Sequence, residues 1–157
     1  MTTIEERHFA RCPYVRARAY LHESLQPASQ STLPQTLRLT TTVPSMGLEF
    51  AKAVSIEYAH SADPMAFDEP WRVRWTPQGG VYPSFDGELA VRADESYRNC
   101  ILELRGTYVP PAGAVGRVFD AAIGKKIAED TARNLLAEIA EVFEARYHAE
   151  EAAKSPV

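Results

Sequence analysis

The stretch Leu102–Leu136, LELRGTYVPPAGAVGRVFDAAIGKKIAEDTARNLL, changes its period halfway along and so decides the fold. Cys100, Leu102, Leu104, Gly106 and Tyr108 alternate with Glu103, Arg105 and Thr107, the period of a strand covered on one face. Pro110-Pro111 then removes two backbone donors and stops the sheet. Beyond it Phe119, Ile123, Ile127, Leu135, Leu136, Ile139, Phe143 and Tyr147 form an apolar stripe at helical spacing. The run from Lys125 to Ala152 is rich in good helix formers and predicts a long C-terminal helix. Gly124 predicts a kink between a short leading turn and the main helix, and Glu150 to Val157 reads as a frayed end.

Upstream, the period of 2 holds back to Thr36. Leu37, Leu39, Thr41 and Val43 alternate with Arg38, Thr40 and Thr42; Trp71, Val73 and Trp75 alternate with Arg72 and Arg74; Phe85, Gly87, Leu89 and Val91 alternate with Asp86, Glu88 and Arg92. One apolar face and one charged face predict an antiparallel sheet covered on one side, because parallel strands are buried on both faces. Turn residues at Val43–Gly47, Ala62–Pro64, Pro77–Gly80 and Asp94–Ser96 make sequential hairpins the economical topology. The segment Phe50 to His60 is ambiguous. Its even positions Phe50, Val54, Ile56 and Tyr58 look like core, yet Lys52 and His60 share them, and a bulge would reconcile the two halves.

Nearer the start, Ile4 to Arg11 reads as a first strand. Cys12-Pro13 offers a helix start, and Tyr14, Ala17, Leu21 and Leu25 form a one-sided helix that ends before the polar loop Gln26 to Pro34.

The whole chain has 157 residues, 45% hydrophobic and 24% charged, which is the size and composition of one globular domain spanning 1–157, with an ordered core over about 5–147. The balance of 17 Lys+Arg against 21 Asp+Glu, net −4, offers no electrostatic footprint for nucleic acid or an anionic membrane. No span approaches the roughly 20 apolar residues of a transmembrane helix, and the start lacks the apolar run of a signal peptide, so a cytoplasmic protein is expected, as monomer or homodimer. Cys12 and Cys100 lie far apart with no metal spacing and read as buried reduced thiols. Glu57, His60 and Asp63 read as a solvated strand end, and neither metal nor cofactor is expected.

Strand, short helix, about five antiparallel strands and one long terminal helix is an order that resembles the helix-grip fold, an α+β class. The chain is identified as similar to the SRPBCC superfamily of START domains, birch-pollen-allergen proteins and polyketide cyclase/dehydrase proteins. The carriers are Phe9 to Leu25, the piece PSFDGELAV (Pro83 to Val91) and the opening stretch at Leu102 to Leu136. The resemblance implies a curved antiparallel sheet wrapped around the long helix, with a mostly apolar cavity between them. It also implies a small hydrophobic ligand, such as a lipid, isoprenoid or aromatic polyketide. These motifs are specific for fold and weak for function.

Placed on that fold, the predicted cavity walls are Val54, Trp71, Val73, Trp75, Phe85, Leu89, Leu102, Leu104 and Tyr108 from the sheet, with Phe119, Ile123 and Ile127 from the helix. Core and pocket wall look alike in one sequence, so each of these is also a packing residue. Trp71 and Trp75, four apart on one strand, lie on one face and either stack on a flat ligand or pack under the helix. An alternative function, an acid–base enzyme of polyketide cyclase or dehydratase type, needs a proton donor or acceptor in the cavity. Lys52, His60 and Tyr108 are its candidates by alternation, with Tyr58 and Tyr82 behind them. Against that stand a snorkelling Lys52, a surface His60, and a Tyr108 that anchors the helix junction. No buried carboxylate is expected, since Asp86, Glu88 and Glu103 fall on the charged face and pair across strands with Arg72, Arg74, Arg92 or Arg105.

Overall fold

In the computed structural model, residues 2–24, 36–43, 48–60, 70–77, 83–109 and 121–154 are described. They form β1 (Thr2–Ala10), α1 (Tyr14–Ser24), β2 (Thr36–Val43), β3 (Leu48–His60), β4 (Trp71–Trp75), β5 (Ser84–Ala93), β6 (Cys100–Val109) and α2 (Ala121–Lys154). The strands make one curved antiparallel sheet of order β1-β6-β5-β4-β3-β2. The run β2 to β6 is therefore a series of hairpins between neighbours. β1, the first strand of the chain, closes onto β6, the last.

The register places residues in rows across the sheet. Ile56, Trp75, Phe85 and Tyr108 form one row; Tyr58, Val73, Gly87, Gly106 and Ile4 the next; then Trp71, Leu89, Leu104 and Glu6. Alternation along each strand sends these rows to the α2 side and their neighbours to the outer side. On β3 the pairings to β2 and to β4 run without an inserted residue, from Leu48↔Val43 to Ser55↔Thr36 and from Ile56↔Trp75 to His60↔Trp71. The expected bulge is absent from these pairs. Val54 and Ile56 are buried and Tyr58 half-buried, while Ser55, Glu57 and Ala59 are exposed, so straightforward alternation accounts for this half of the strand.

Cys12 and Pro13 turn the chain from β1 into α1. The Pro13 carbonyl accepts the Ala17 N–H at 2.9 Å, so proline stands immediately before the helix, where its missing donor costs nothing. The buried face of α1 is Ala17, Tyr20, Leu21 and Ser24. Leu25 and the predicted loop to Pro34 lie outside the described residues, as do the predicted turns at 44–47, 62–64 and 78–80.

Between β5 and β6 the turn is built on Asp94. Its Oδ1 accepts the Ser96 N–H and Oγ–H, its Oδ2 accepts from Asn99 Nδ2, and its carbonyl accepts the Tyr97 N–H. Tyr97 sits there with φ 57°, a left-handed conformation the turn requires.

Two expectations about the last helix are corrected. Over the described residues the helix runs from Ala121 through Gly124 without a break, and Gly124 lies against the Tyr108 ring. Its end is not frayed at Glu150. Tyr20 Oη donates to Glu150 Oε2 at 2.6 Å, Arg146 binds both Glu150 and Glu23, and the Arg146 guanidinium lies 4.2 Å over the Tyr20 ring, so α1 clamps this part of α2. Ile127, Ala128, Thr131, Ala132, Leu135, Leu136, Ile139, Ala140 and Phe143 bury one helical stripe. Its close backbone approaches are to β1 and β6 at one side of the sheet and to β2 at the other. Small residues at 128, 132 and 140 let the helix come near. Arg133 fastens it to β1 through Glu6 at 3.3 Å, and the Arg11 N–H bonds Glu144 Oε1 at 2.8 Å.

Candidate functional site

The sheet face under α2 carries most of the predicted wall. Val54, Trp71, Val73, Trp75, Phe85, Leu89, Leu102, Leu104, Tyr108 and Ile127 are all buried in one apolar cluster. Ile123 lies in α2, but its side chain and all of Phe119 are outside the described residues. The same holds for the side chains of Lys52 and His60, whose backbones pair with Leu39 and Trp71. The sequence grouping Glu57, His60 and Asp63 likewise falls partly outside them. Among the described residues no three metal-ligating side chains come together.

The middle of this face is aromatic. Trp75 and Phe85, direct register partners, stack with ring centroids 4.3 Å apart and planes 18° from parallel. The Phe85 ring lies across the paired glycines Gly87 and Gly106. A Cβ built on either glycine would meet the ring at 2.5 to 2.6 Å and overlap backbone of the neighbouring strand. The glycine pair is thus a trough that only hydrogen side chains leave open, and Phe85 occupies it. Trp71, four residues away on β4, meets His22 of α1 edge-on at 6.4 Å. Trp71 and Trp75 therefore share a face, as their spacing predicts, but have different neighbours.

Burial sets the ionisation of the groups nearby. It pushes the Tyr58 phenol well above its ordinary value, with the Glu138 carboxylate of α2 adding to the shift. The Cys12 thiol is pushed up to about 11, chiefly by burial and then by Glu144 and Glu150, and the Cys100 thiol to about 12, chiefly by burial. Both thiols stay protonated and unreactive at neutral pH, in keeping with core roles.

The outer face differs from the sequence expectation at one residue. Arg72 holds Asp86 through two bonds of 2.9 and 2.6 Å, and Arg74 adds a third at 3.3 Å, as cross-strand pairing predicts. Glu103, however, is only 5% exposed. It accepts from Arg92 of β5 and from Arg7 of β1, and Ala90 lies opposite it. The two guanidinium groups cover the carboxylate from water. Burial pushes its pKa up, but the bonds and charges of Arg92 and Arg7 outweigh that and hold it below the ordinary carboxylate value. Arg7 is the partner that pairing among the later strands does not reveal, since it comes from the opposite end of the chain.

No protein-family model matches the sequence. No curated protein matches it either. Solved structures do. The chain is similar to TTHA0849 from Thermus thermophilus, at 15% identity over 92% of this chain and 99% of that one, with a TM-score of 0.52. It is also similar to Zhui aromatase/cyclase from Streptomyces sp. R1128, at 14% identity over 92% and 94% with a TM-score of 0.49. A START superfamily protein from Mycobacterium smegmatis follows at 12% identity over 94% and 97%, TM-score 0.44. The fold is an α+β helix-grip arrangement, a curved antiparallel sheet against one long C-terminal helix. At these identities the likeness is one of fold. No helix of the described residues is long and apolar enough to cross a membrane.

Proposed function

We propose that the chain binds a small hydrophobic molecule between the sheet and α2. The observation that carries this reading is where the helix touches the sheet. The close backbone approaches of α2 are to β1, β6 and β2, so it bridges the two sides and stands off the middle strands β4 and β5. Those middle strands present Trp71, Val73, Trp75, Phe85 and Leu89 on that face, both tryptophans of the chain among them. Apolar walls of this kind beneath a bridging helix are what a pocket for an apolar ligand needs. The Trp75–Phe85 stack beside a glycine trough favours a flat or ring-containing ligand, because a planar group can replace Phe85 over Gly87 and Gly106. An aromatic polyketide or isoprenoid meets that description.

Native mass spectrometry of freshly purified protein, followed by titration with the neutral fluorophore aminoanthracene, tests this reading. A co-purified apolar species, or saturable enhancement of the fluorophore with one site per chain, supports it. An apo spectrum together with no saturable binding excludes it.

A further inference from the structure

On the basis of the apolar site argued above, we propose that its ligand carries one hydrogen-bond donor, a hydroxyl or an amine, which the Glu138 carboxylate of α2 accepts beside Tyr58 at the β3 edge of the site.

The two sides of the buried stripe of α2 are built differently. On one side Arg133 bonds Glu6 of β1 at 3.3 Å, and Glu144, three turns further on, accepts the Arg11 N–H at 2.8 Å, so this side of the helix is tied to β1. Glu138, five residues from Arg133, lies about 140° around the helix from it, on the far side of the stripe. Leu135, Glu138 and Val142 share that side at spacings of three and four. Leu135 is buried, Val142 packs against the core and Glu138 is exposed, so the carboxylate stands where the apolar surface gives way to water.

Tyr58 comes to the same boundary from the sheet. It lies on the inward row of β3, and its ring packs against the apolar cluster. The β2–β3 pairing runs from Leu48 to Ser55, and Tyr58 lies beyond its end. The Glu138 carboxylate adds to the upward push that burial gives the Tyr58 phenol, which places the two groups within electrostatic reach of each other.

Chemistry then selects the ligand. Glu6, the carboxylate of the inward rows, is already held by Arg133. A donor on the ligand that stayed among Trp75, Phe85 and Leu89 would be desolvated against apolar groups, at a cost. At the β3 edge it meets Glu138, which as a carboxylate only accepts and so selects for a donor. The flat apolar body lies under the helix while its hydroxyl or amine reaches this edge.

Displacement of aminoanthracene from the full chain by naphthol and by its methyl ether tests the assignment, since the two share a ring system and only naphthol donates. Naphthol is expected to displace the fluorophore at about ten-fold lower concentration than the ether. Glu138→Ala, at an exposed helical position, should bring the two within about two-fold of each other while the ether binds as before; Glu138→Gln, which keeps a carbonyl acceptor without the charge, should retain about a three-fold preference. Equal displacement by naphthol and ether, a preference unchanged in Glu138→Ala, or an equal loss of both ligands in that variant would each overturn this inference and leave the apolar site standing. No saturable binding of aminoanthracene would overturn both.

Discussion

Along β4 and β5, Trp71, Val73, Trp75, Phe85 and Leu89 pack out of reach of water, while Arg72, Arg74 and Asp86, one residue away on the same strands, stand half exposed and hold one another by charge. The two faces share every backbone hydrogen bond, so whatever differs between them comes from side chains alone. On the α2 side the stabilisation is burial and ring stacking, which no salt screens. On the outer side it is Coulombic and mostly weak, because exposed pairs contribute about 0–1 kcal/mol each. Glu103 is the exception that joins the two regimes: a charge on the outer face that is buried as deeply as a core residue. A strand face is therefore not assigned by polarity alone. What decides burial is whether neighbouring strands bring enough atoms to cover the group.

Substitutions on the two faces should separate by size. Trp75→Ala removes the stacked partner of Phe85 and should destabilise by about 3–5 kcal/mol in urea unfolding. A loss below that range would mean the α2 side is not packed as described. Gly106→Val should cost about 3 kcal/mol, since the added Cβ overlaps Gly87 and the Phe85 ring, and the near-ultraviolet circular dichroism of the Trp75–Phe85 pair should change with it.

Glu103→Gln should cost about 2 kcal/mol at neutral pH, far more than an exposed pair, because charge-assisted bonds to Arg7 and Arg92 are lost at a buried site. The pH dependence has a definite sign. A carboxylate whose folded pKa lies below its ordinary 4.5 stabilises the fold fully above that value and loses the contribution as pH falls through the lowered folded one. Acid unfolding followed by circular dichroism should therefore show a shallower decline below about pH 4.5 in Glu103→Gln than in the parent. Arg72→Gln should cost least, about 0.2–1 kcal/mol, and the difference should vanish in molar salt, where the screening length is about 3 Å. A large, salt-insensitive effect there would erase the contrast between the faces.

Much of this is readable from periodicity. The alternation at Phe85 to Val91 and at Cys100 to Tyr108 is a local property, and it assigns both faces of β5 and β6 without any knowledge of pairing. The same holds for the apolar stripe of α2. What escapes is non-local. Glu103 looks solvated until Arg7, 96 residues away, is brought beside it by the β1–β6 pairing. Tyr20 falls outside the stripe Tyr14, Ala17, Leu21 and Leu25, and its place appears only when Arg146 and Glu150, the latter 130 residues on, close over it from α2. Gly87 and Gly106 read as ordinary members of their strands, and their role appears only when register sets them side by side beneath Phe85. The candidate site shares that limit. The burial of its residues follows from alternation, whereas what lies against them depends on how α2 docks across the sheet.

The central claim, that an apolar ligand lies between α2 and the middle strands, is tested most directly by isotope-filtered NOE spectroscopy of carbon-labelled protein with unlabelled aminoanthracene. Cross-peaks from the ligand to Trp75, Phe85, Leu89 and Leu104 are the predicted result. Cross-peaks confined to outer-face residues such as Thr107 and Val109, or none at saturating ligand, would contradict it.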